Sequence, residues 1–247
     1  MPRFFVPSCD ISAEKITVRG NDAHHISRAL RMAVGDRITV CDSASREYEC
    51  VLQSFLPDAV VAEIVSVREQ DTEPPYRLTL YQALPKGDKL DTVIQKSVEC
   101  GAALIVPFES ERCVVRAKPE AEDKKRERRQ RIALEAAKQC GRGALPDVER
   151  TVDFSTMLTR AAAADLVLFC FEGEGTEPIT RVLASHPLEK GAEIALIIGS
   201  EGGFSQDEAA RARAAGFTLT GLGKRILRTE TAPIFALACI SAALELQ

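Results

Sequence analysis

The feature that most constrains this chain is the stretch IALIIGSEGGFSQDEAARARAAGFTLTGLGKRILRTETAPIF, residues 194–235. It opens with five consecutive apolar residues, Ile194 to Ile198. A run this short and β-branched predicts a strand buried on both faces, as in a parallel sheet covered by helices. The next loop, Gly199-Ser200-Glu201-Gly202-Gly203, is rich in glycine, so its backbone can take positive φ and approach a ligand closely. Ser205, with Glu208 three residues on, is a capping box for a helix that Gly216 stops. A second short strand at 217–220 runs into Gly221-Leu222-Gly223. Thr231 can then cap, and Pro233 start, a terminal helix through residue 246. Two glycine loops thus come after two consecutive strands, at the carboxyl ends where open α/β sheets bind ligands.

Upstream, residues 77–84, 103–107 and 165–171 are further short apolar runs, and helices are expected at 88–100, 122–140 and 178–183. Their alternation predicts an α/β domain built on a parallel sheet with helices on both faces. Residues 1–70 have a different grammar. Alternating pieces at 37–42, 48–55 and 59–67, separated by turns at 35–36, 42–45 and 57–58, predict a small antiparallel barrel. A helix is expected at 22–32, with Ile26 and Leu30 on its buried side and His24, His25, Arg28 and Arg31 elsewhere. Adjacent histidines do not share a helix face as a metal pair at i, i+4 would, which leaves packing, capping or an RNA contact. Between the two grammars, residues 69–76 (EQDTEPPY) read as a linker, giving domains 1–70 and 74–247.

Several chemistries are excluded by what the motifs lack. There is no GxGxxG after the first strand, no GxxxxGK[ST], no GxSxG, and no His/Asp/Glu set at metal-ligand spacing. The apolar runs are far shorter than the ~20 residues of a membrane span, and residues 1–10 lack a signal peptide's apolar core. A cytosolic protein is expected, and its eight cysteines, with no CxxC pair, read as mostly buried free thiols. A formal net charge of −4 argues against indiscriminate coating of nucleic acid, yet residues 112–131 hold nine Lys or Arg against four Asp or Glu. That stretch is either a solvated helix face or, with Arg112, Arg116 and Lys118 before the helix, a phosphate-facing surface. Arg142, in a glycine-flanked turn, is expected to reach a ligand. What remains for the glycine loops is a ligand held by backbone atoms with few ionisable groups nearby, as suits a reaction whose cofactor carries the reactive group, methyl transfer from a sulfonium among them.

The strings KGDKLDTVIQKSVECGA (86–102), EAAKQCGR (135–142), IIGSEGGFS (197–205) and LGKRILRTETA (222–232), with HHISRALR (24–31) and VGDRITVCD (34–42), resemble the RsmE family of 16S rRNA uracil-N3 methyltransferases over nearly the whole chain. One departure is Ser200, where that family usually has proline. The resemblance implies a SPOUT-class domain with a carboxyl-terminal trefoil knot, a PUA-like amino-terminal β-barrel for RNA, a homodimer built at the knot and S-adenosylmethionine as cofactor; no metal is expected, because no ligand set has metal spacing. It implies uridine 1498 of the small ribosomal subunit as substrate. Carried over residue by residue, the cofactor pocket is Gly199, Glu201, Gly202 and Gly203, then Leu222, Gly223, Ile226, Leu227, Arg228, Thr231 and Ala232, with Phe171 and Glu172 on its rim. Arg3, Arg28, Arg31, Arg112, Arg116 and Arg142 are expected on RNA. Arg228 is the candidate for stabilising the uracil anion, or else pairs with Glu230 or Glu201 to hold the knot. Glu201 is the candidate proton acceptor, or else caps the next helix. The competing readings are a related enzyme acting on tRNA or 23S rRNA, and a non-catalytic RNA-binding protein.

Overall fold

The structure, a computed structural model, describes residues 1–44 and 46–246; Ser45 of the expected 42–45 turn and Gln247 lie outside the described residues. The chain forms two compact units, Met1–Glu73 with Ala137–Leu145, and Pro74–Ala136 with Pro146–Gln247.

The first unit contains β1 (Arg3–Phe5), β2 (Lys15–Arg19), α1 (Gly20–His24), β3 (Arg37–Cys41), β4 (Arg46–Leu56) and β5 (Ala59–Glu69). They form one sheet in the order β1-β3-β4-β5-β2, antiparallel except where β1 runs parallel to β3. The period of two in β4 sends Tyr48, Cys50 and Leu52 into a core shared with Phe4, Ile16, Val18, Ile26, Ile38 and Val40. Register shifts at Glu49/Cys50 and Leu52/Ser54 mark bulges, which bend a strand and increase its twist. The edge strands β1 and β2 were not expected from the sequence.

The expected 22–32 helix starts earlier and changes type. Its second half, His25–Ala29, is a π turn in which the Leu30 N–H bonds to His25 O. One extra residue in the turn rotates the chain beyond it, so Leu30 is 40% exposed instead of buried, and Arg31 ends the segment at φ 51°. His25 meets the Phe4 ring edge-on, and His24 Nε2 lies 3.8 Å from Asp58, so both histidines have packing partners.

The second unit holds, in order, β6 (Arg77–Ala83), α2 (Lys89–Glu99), β7 (Leu104–Glu109), α3 (Pro119–Cys140, its last turn in the first unit), β8 (Asp147–Val148), β9 (Val152–Asp153) and α4 (Phe154–Ala161). Then come β10 (Leu166–Cys170), β11 (Glu177–Pro178), α5 (Ile179–Ser185), β12 (Glu193–Ile198), α6 (Gln206–Ala214), β13 (Thr218–Gly221) and α7 (Ala232–Leu244). The sheet is parallel throughout, in the order β11-β13-β10-β12-β6-β7-β8, with β9 also on β7. Strand β12 therefore lies between β6 and β10, and β13 between β10 and β11. The continuous apolar runs of β6, β10 and β12 are almost wholly buried, as expected of central parallel strands. Helix α7 packs on α2, α5 and β12, while α6 packs on β13 and α4 on β7.

Ser205 caps α6 with the full capping box, and Gly216 closes the helix at φ 84°. Thr231 occupies the N-cap position of α7 but makes no side-chain cap bond. Among the described residues no helix is long and apolar enough to cross a membrane. Of the eight cysteines only Cys41, Cys50 and Cys113 are buried, while Cys9 and Cys140 are exposed, so fewer thiols lie in the core than the apolar stretches suggest.

Candidate functional site

A cavity of about 520 Å³ opens at the carboxyl ends of β10, β12 and β13. Its walls are residues 198–204 from the end of β12 onward, residues 222–229 after β13, Cys170 to Gly173 from the end of β10 onward, and Lys89, Arg112, Gln206 and Ala232. Every residue expected in the pocket lies on this wall except Thr231, which is exposed at the start of α7. Thr229 takes the inward position instead. It is 4% exposed, and its Oγ1 donates to Gly199 O at 2.8 Å. Gln82 Nε2, at the end of β6, donates to Thr229 Oγ1, Ala83 O and Gly199 O at 3.1, 3.0 and 3.3 Å. This buried node joins the bases of the two glycine loops.

The glycines answer different demands. Gly203 and Gly223 have φ of 63° and 106°, which side chains resist. Gly202 does not; a Cβ there would stand 2.9 Å from Arg112 Cβ. Arg112 Nη1 also donates to Gly202 O at 3.0 Å, so the loop is backed by that side chain. Phe204 leaves the loop and packs against Phe169 at 4.3 Å between centroids, in a cluster with Phe108 and Phe154 that anchors the loop to the sheet.

Electrostatics centre on Lys89. Its Nζ lies 2.8 Å from Glu201 Oε1 and 3.3 Å from Glu230 Oε2, and the Lys86 N–H also donates to the Glu201 carboxylate. Hydrogen bonding to Glu201 raises the Lys89 pKa. Burial pushes Glu201 up, but the hydrogen bonds from Lys89, its own backbone and Lys86 outweigh this and hold it below the usual carboxylate range. A carboxylate held this way is a weak base. Nor does Glu201 cap the helix after it, since Ser205 and Glu208 do that. Arg228 is exposed on the cavity wall; its backbone O accepts from Thr231 and Ala232. Among the described residues its side chain has no ion pair with Glu230 or Glu201, both of which Lys89 faces. Burial pushes the Cys170 thiol up, so this wall carries a neutral thiol.

The six arginines expected on RNA separate into groups. Arg28 and Arg31 are exposed. Arg112 lines the cavity, while Arg116 ties down the loop after β7 through Glu109 and the carbonyls of Ser110 and Glu111. Arg3 pairs with Glu47 at 2.7 Å and donates to Arg142 O at 3.4 Å. Arg142 is 5% exposed, with its guanidinium on Glu73, whose carboxylate also takes the Gly143 and Ala144 N–H groups. In this arrangement Arg142 braces its turn instead of reaching outward. Lys89, Thr229 and Gln82 escaped the sequence reading because their partners are remote in the chain, Gln82 and Thr229 by 147 residues. Among the described residues no group of three or more His, Cys, Asp or Glu could hold a metal ion.

A parallel α/β sheet with a glycine-lined cavity, in a chain that also carries a small β-rich unit, defines the class, and the family models specify it. Residues 72–241 match the RNA methyltransferase domain and residues 18–65 the RNA methyltransferase PUA domain. The chain is 35% identical to ribosomal RNA small subunit methyltransferase E of Bacillus subtilis, over all of this chain and 98% of that one. The crystal structure of the Neisseria gonorrhoeae protein of that name, bound to S-adenosyl methionine, superposes with a TM-score of 0.81 at 31% identity, covering 98% of this chain and 97% of that one. A Legionella pneumophila methyltransferase with bound SAM gives 0.86 at 32% identity, with the same coverage. This chain belongs to the ribosomal RNA small subunit methyltransferase E (RsmE) family.

Proposed function

We propose that this protein transfers a methyl group from S-adenosylmethionine to N3 of a uridine in small-subunit ribosomal RNA, uridine 1498 by the family resemblance. The observation that carries the reading is the cavity of about 520 Å³ between two glycine loops, within the range of small-ligand sites; unlike the expectation of few ionisable groups, seven charged side chains also line it. The residues fit such a ligand. Gly202 leaves room that a Cβ would lose against Arg112, and the Ser200 hydroxyl on this wall is buried with no hydrogen-bond partner among the described residues. With Lys89 paired to Glu201 and Glu230, the remaining cations Arg112, Lys224, Arg225 and Arg228 line the cavity against Glu172, a positive bias that suits an RNA phosphate backbone.

S-adenosylmethionine, when bound, supplies an electrophilic methyl group. Uridine N3 lies on the Watson–Crick edge, so the base must be unpaired or flipped to reach it. As the N3 proton passes to water, its electron pair stays on the ring and negative charge grows on O2 and O4. Arg228 is suited to stabilise it, because its guanidinium stays charged and offers parallel donors. Residues 1–70 serve as the RNA-binding module and 74–247 as the transferase domain. Residues 222–231 thread the carboxyl-terminal knot, a reading supported by the insertion of β12 and β13 between earlier strands. Helix α7 carries no charged residue, yet Phe235 is 38% exposed, which supports a homodimer through this domain. The protein works in the cytoplasm, on rRNA within the small subunit.

The test is calorimetry with S-adenosylmethionine, together with mass-spectrometric mapping of rRNA from a strain lacking the protein. Loss of one N3-methyluridine from 16S rRNA, restored by the gene, is the expected result. Loss from tRNA or 23S rRNA would redirect the substrate, and absence of cofactor binding would leave an RNA-binding protein.

A further inference from the structure

Two carboxylates, Glu201 on the loop after β12 and Glu230 on the segment before α7, face one cation from a third element. Lys89, the first residue of α2, puts its Nζ 2.8 Å from one and 3.3 Å from the other. The Nζ donates a hydrogen bond to Glu201 Oε1, whereas Glu230 Oε2, buried and without a hydrogen-bond partner among the described residues, is held by the charge of the ammonium. All three side chains are half-buried, at 31% exposure for Lys89, 29% for Glu201 and 25% for Glu230, where screening is weaker than in open solvent. Without the cation, the two like charges would repel each other.

We propose that Lys89 is a positioning residue that sets the separation of the two glycine loops by bridging Glu201 and Glu230. The inference rests on the reading of the cavity as the methyl-donor site. Lys89 acts on the ligand through the two loops, its ammonium being committed to their carboxylates. The geometry also separates this role from a general structural one. Beneath the rim, the Gln82–Thr229–Gly199 node joins the same loops with neutral, buried hydrogen bonds that do not involve Lys89. The Lys86 N–H keeps its own hold on Glu201. Loss of the ammonium therefore frees the segment that carries Glu230 from Glu201 while the loop bases stay joined.

The experiment measures S-adenosylmethionine affinity by calorimetry, and amide exchange in residues 199–203 and 222–231 without ligand, for wild type, Lys89→Met, Lys89→Arg, Glu230→Gln and the Lys89→Met/Glu230→Gln pair. Lys89→Met should weaken the cofactor by ~10–100-fold, the scale of a displaced binding group. Exchange in the two segments should rise by on the order of tenfold, with the rest of the protein unchanged. Lys89→Arg should recover most of the affinity, and Glu230→Gln should relieve part of the Lys89→Met loss, making the two changes non-additive. Wild-type affinity in Lys89→Met, an arginine variant as weak as the methionine one, or strictly additive losses would each overturn the bridge. If wild type fails to bind the cofactor, the proposed function falls and the exchange measurement decides the bridge by itself. If Lys89→Met does not fold, Glu230→Gln, which removes one end of the bridge, carries the same test.

Discussion

Gly202 and Gly223 sit on the same cavity wall for unlike reasons, and substitutions should separate them. A side chain at Gly202 meets Arg112 Cβ at 2.9 Å, whereas one at Gly223 meets open space but inherits a φ of 106°. Gly202→Val should abolish S-adenosylmethionine binding in calorimetry, because Arg112 and the loop must move apart. Gly223→Val should lower stability by ~1–3 kcal/mol through backbone strain and also weaken the cofactor. Unchanged affinity in both would remove the pocket. Arg228 is exposed and, among the described residues, has no ion pair with either neighbouring carboxylate, so its replacement should leave the fold intact. Arg228→Lys should keep cofactor affinity within a few-fold and slow single-turnover methylation by ~100-fold, the cost of one lost oxyanion donor. A wild-type rate would end its catalytic role, and lost cofactor binding would make it a wall residue.

At the scale of elements, α3 is pinned to the chain before β9 by Glu122. Its Oε1 accepts from the Thr151 N–H and hydroxyl at 2.9 and 2.7 Å and from Arg129 Nη1 at 3.0 Å. Burial works to raise the Glu122 pKa, but the Thr151 and Arg129 contacts outweigh it and the pKa is lowered. A lowered folded pKa means the stabilisation is complete above the unfolded value, ~4.3, and is lost as pH falls through the folded one. Glu122→Gln should therefore lower the thermal midpoint at pH 7, with the gap from wild type narrowing toward pH 3; a gap that widens in acid would contradict the assignment. Partners such as Thr151, remote from Glu122 in the chain, leave no local mark in the sequence. The capping box at Ser205, the apolar runs of β6, β10 and β12, and both glycine loops were legible because their signals are local. The two-residue strands β8 and β9 carry no period and exist through pairing with β7, while α4 went unread between them and β10. The π turn at His25–Ala29 slips the register by one residue, which the apolar spacing of Ile26 and Leu30 does not register. Arg142 looked ligand-facing because its partner Glu73 lies 69 residues away.

For the molecule as a whole, a chain of net charge −4 must bind RNA through a local set of cations. The structure sorts the candidates by what already holds them. Arg3 is neutralised by Glu47 and Arg142 by Glu73, whereas Arg28 and Arg31 are exposed and, among the described residues, have no ion-pair partner. Each phosphate neutralised by a cation on single-stranded RNA contributes ~0.7 to the slope of log affinity against log salt. Arg28→Ala with Arg31→Ala should thus reduce that slope by about 1.4 if both touch phosphate, with the thermal midpoint little changed. Arg142→Ala should do the reverse. It strips Glu73 of its guanidinium and leaves the carboxylate to the Gly143 and Ala144 amides, so stability should fall by ~1–3 kcal/mol while the salt slope stays the same. Filter binding across a salt series, paired with thermal denaturation, separates the two. An unaltered slope in the Arg28/Arg31 variant would remove the π-turn segment from the RNA surface. A slope that falls in Arg142→Ala at undiminished stability would mean that Glu73 yields its guanidinium to phosphate when RNA binds.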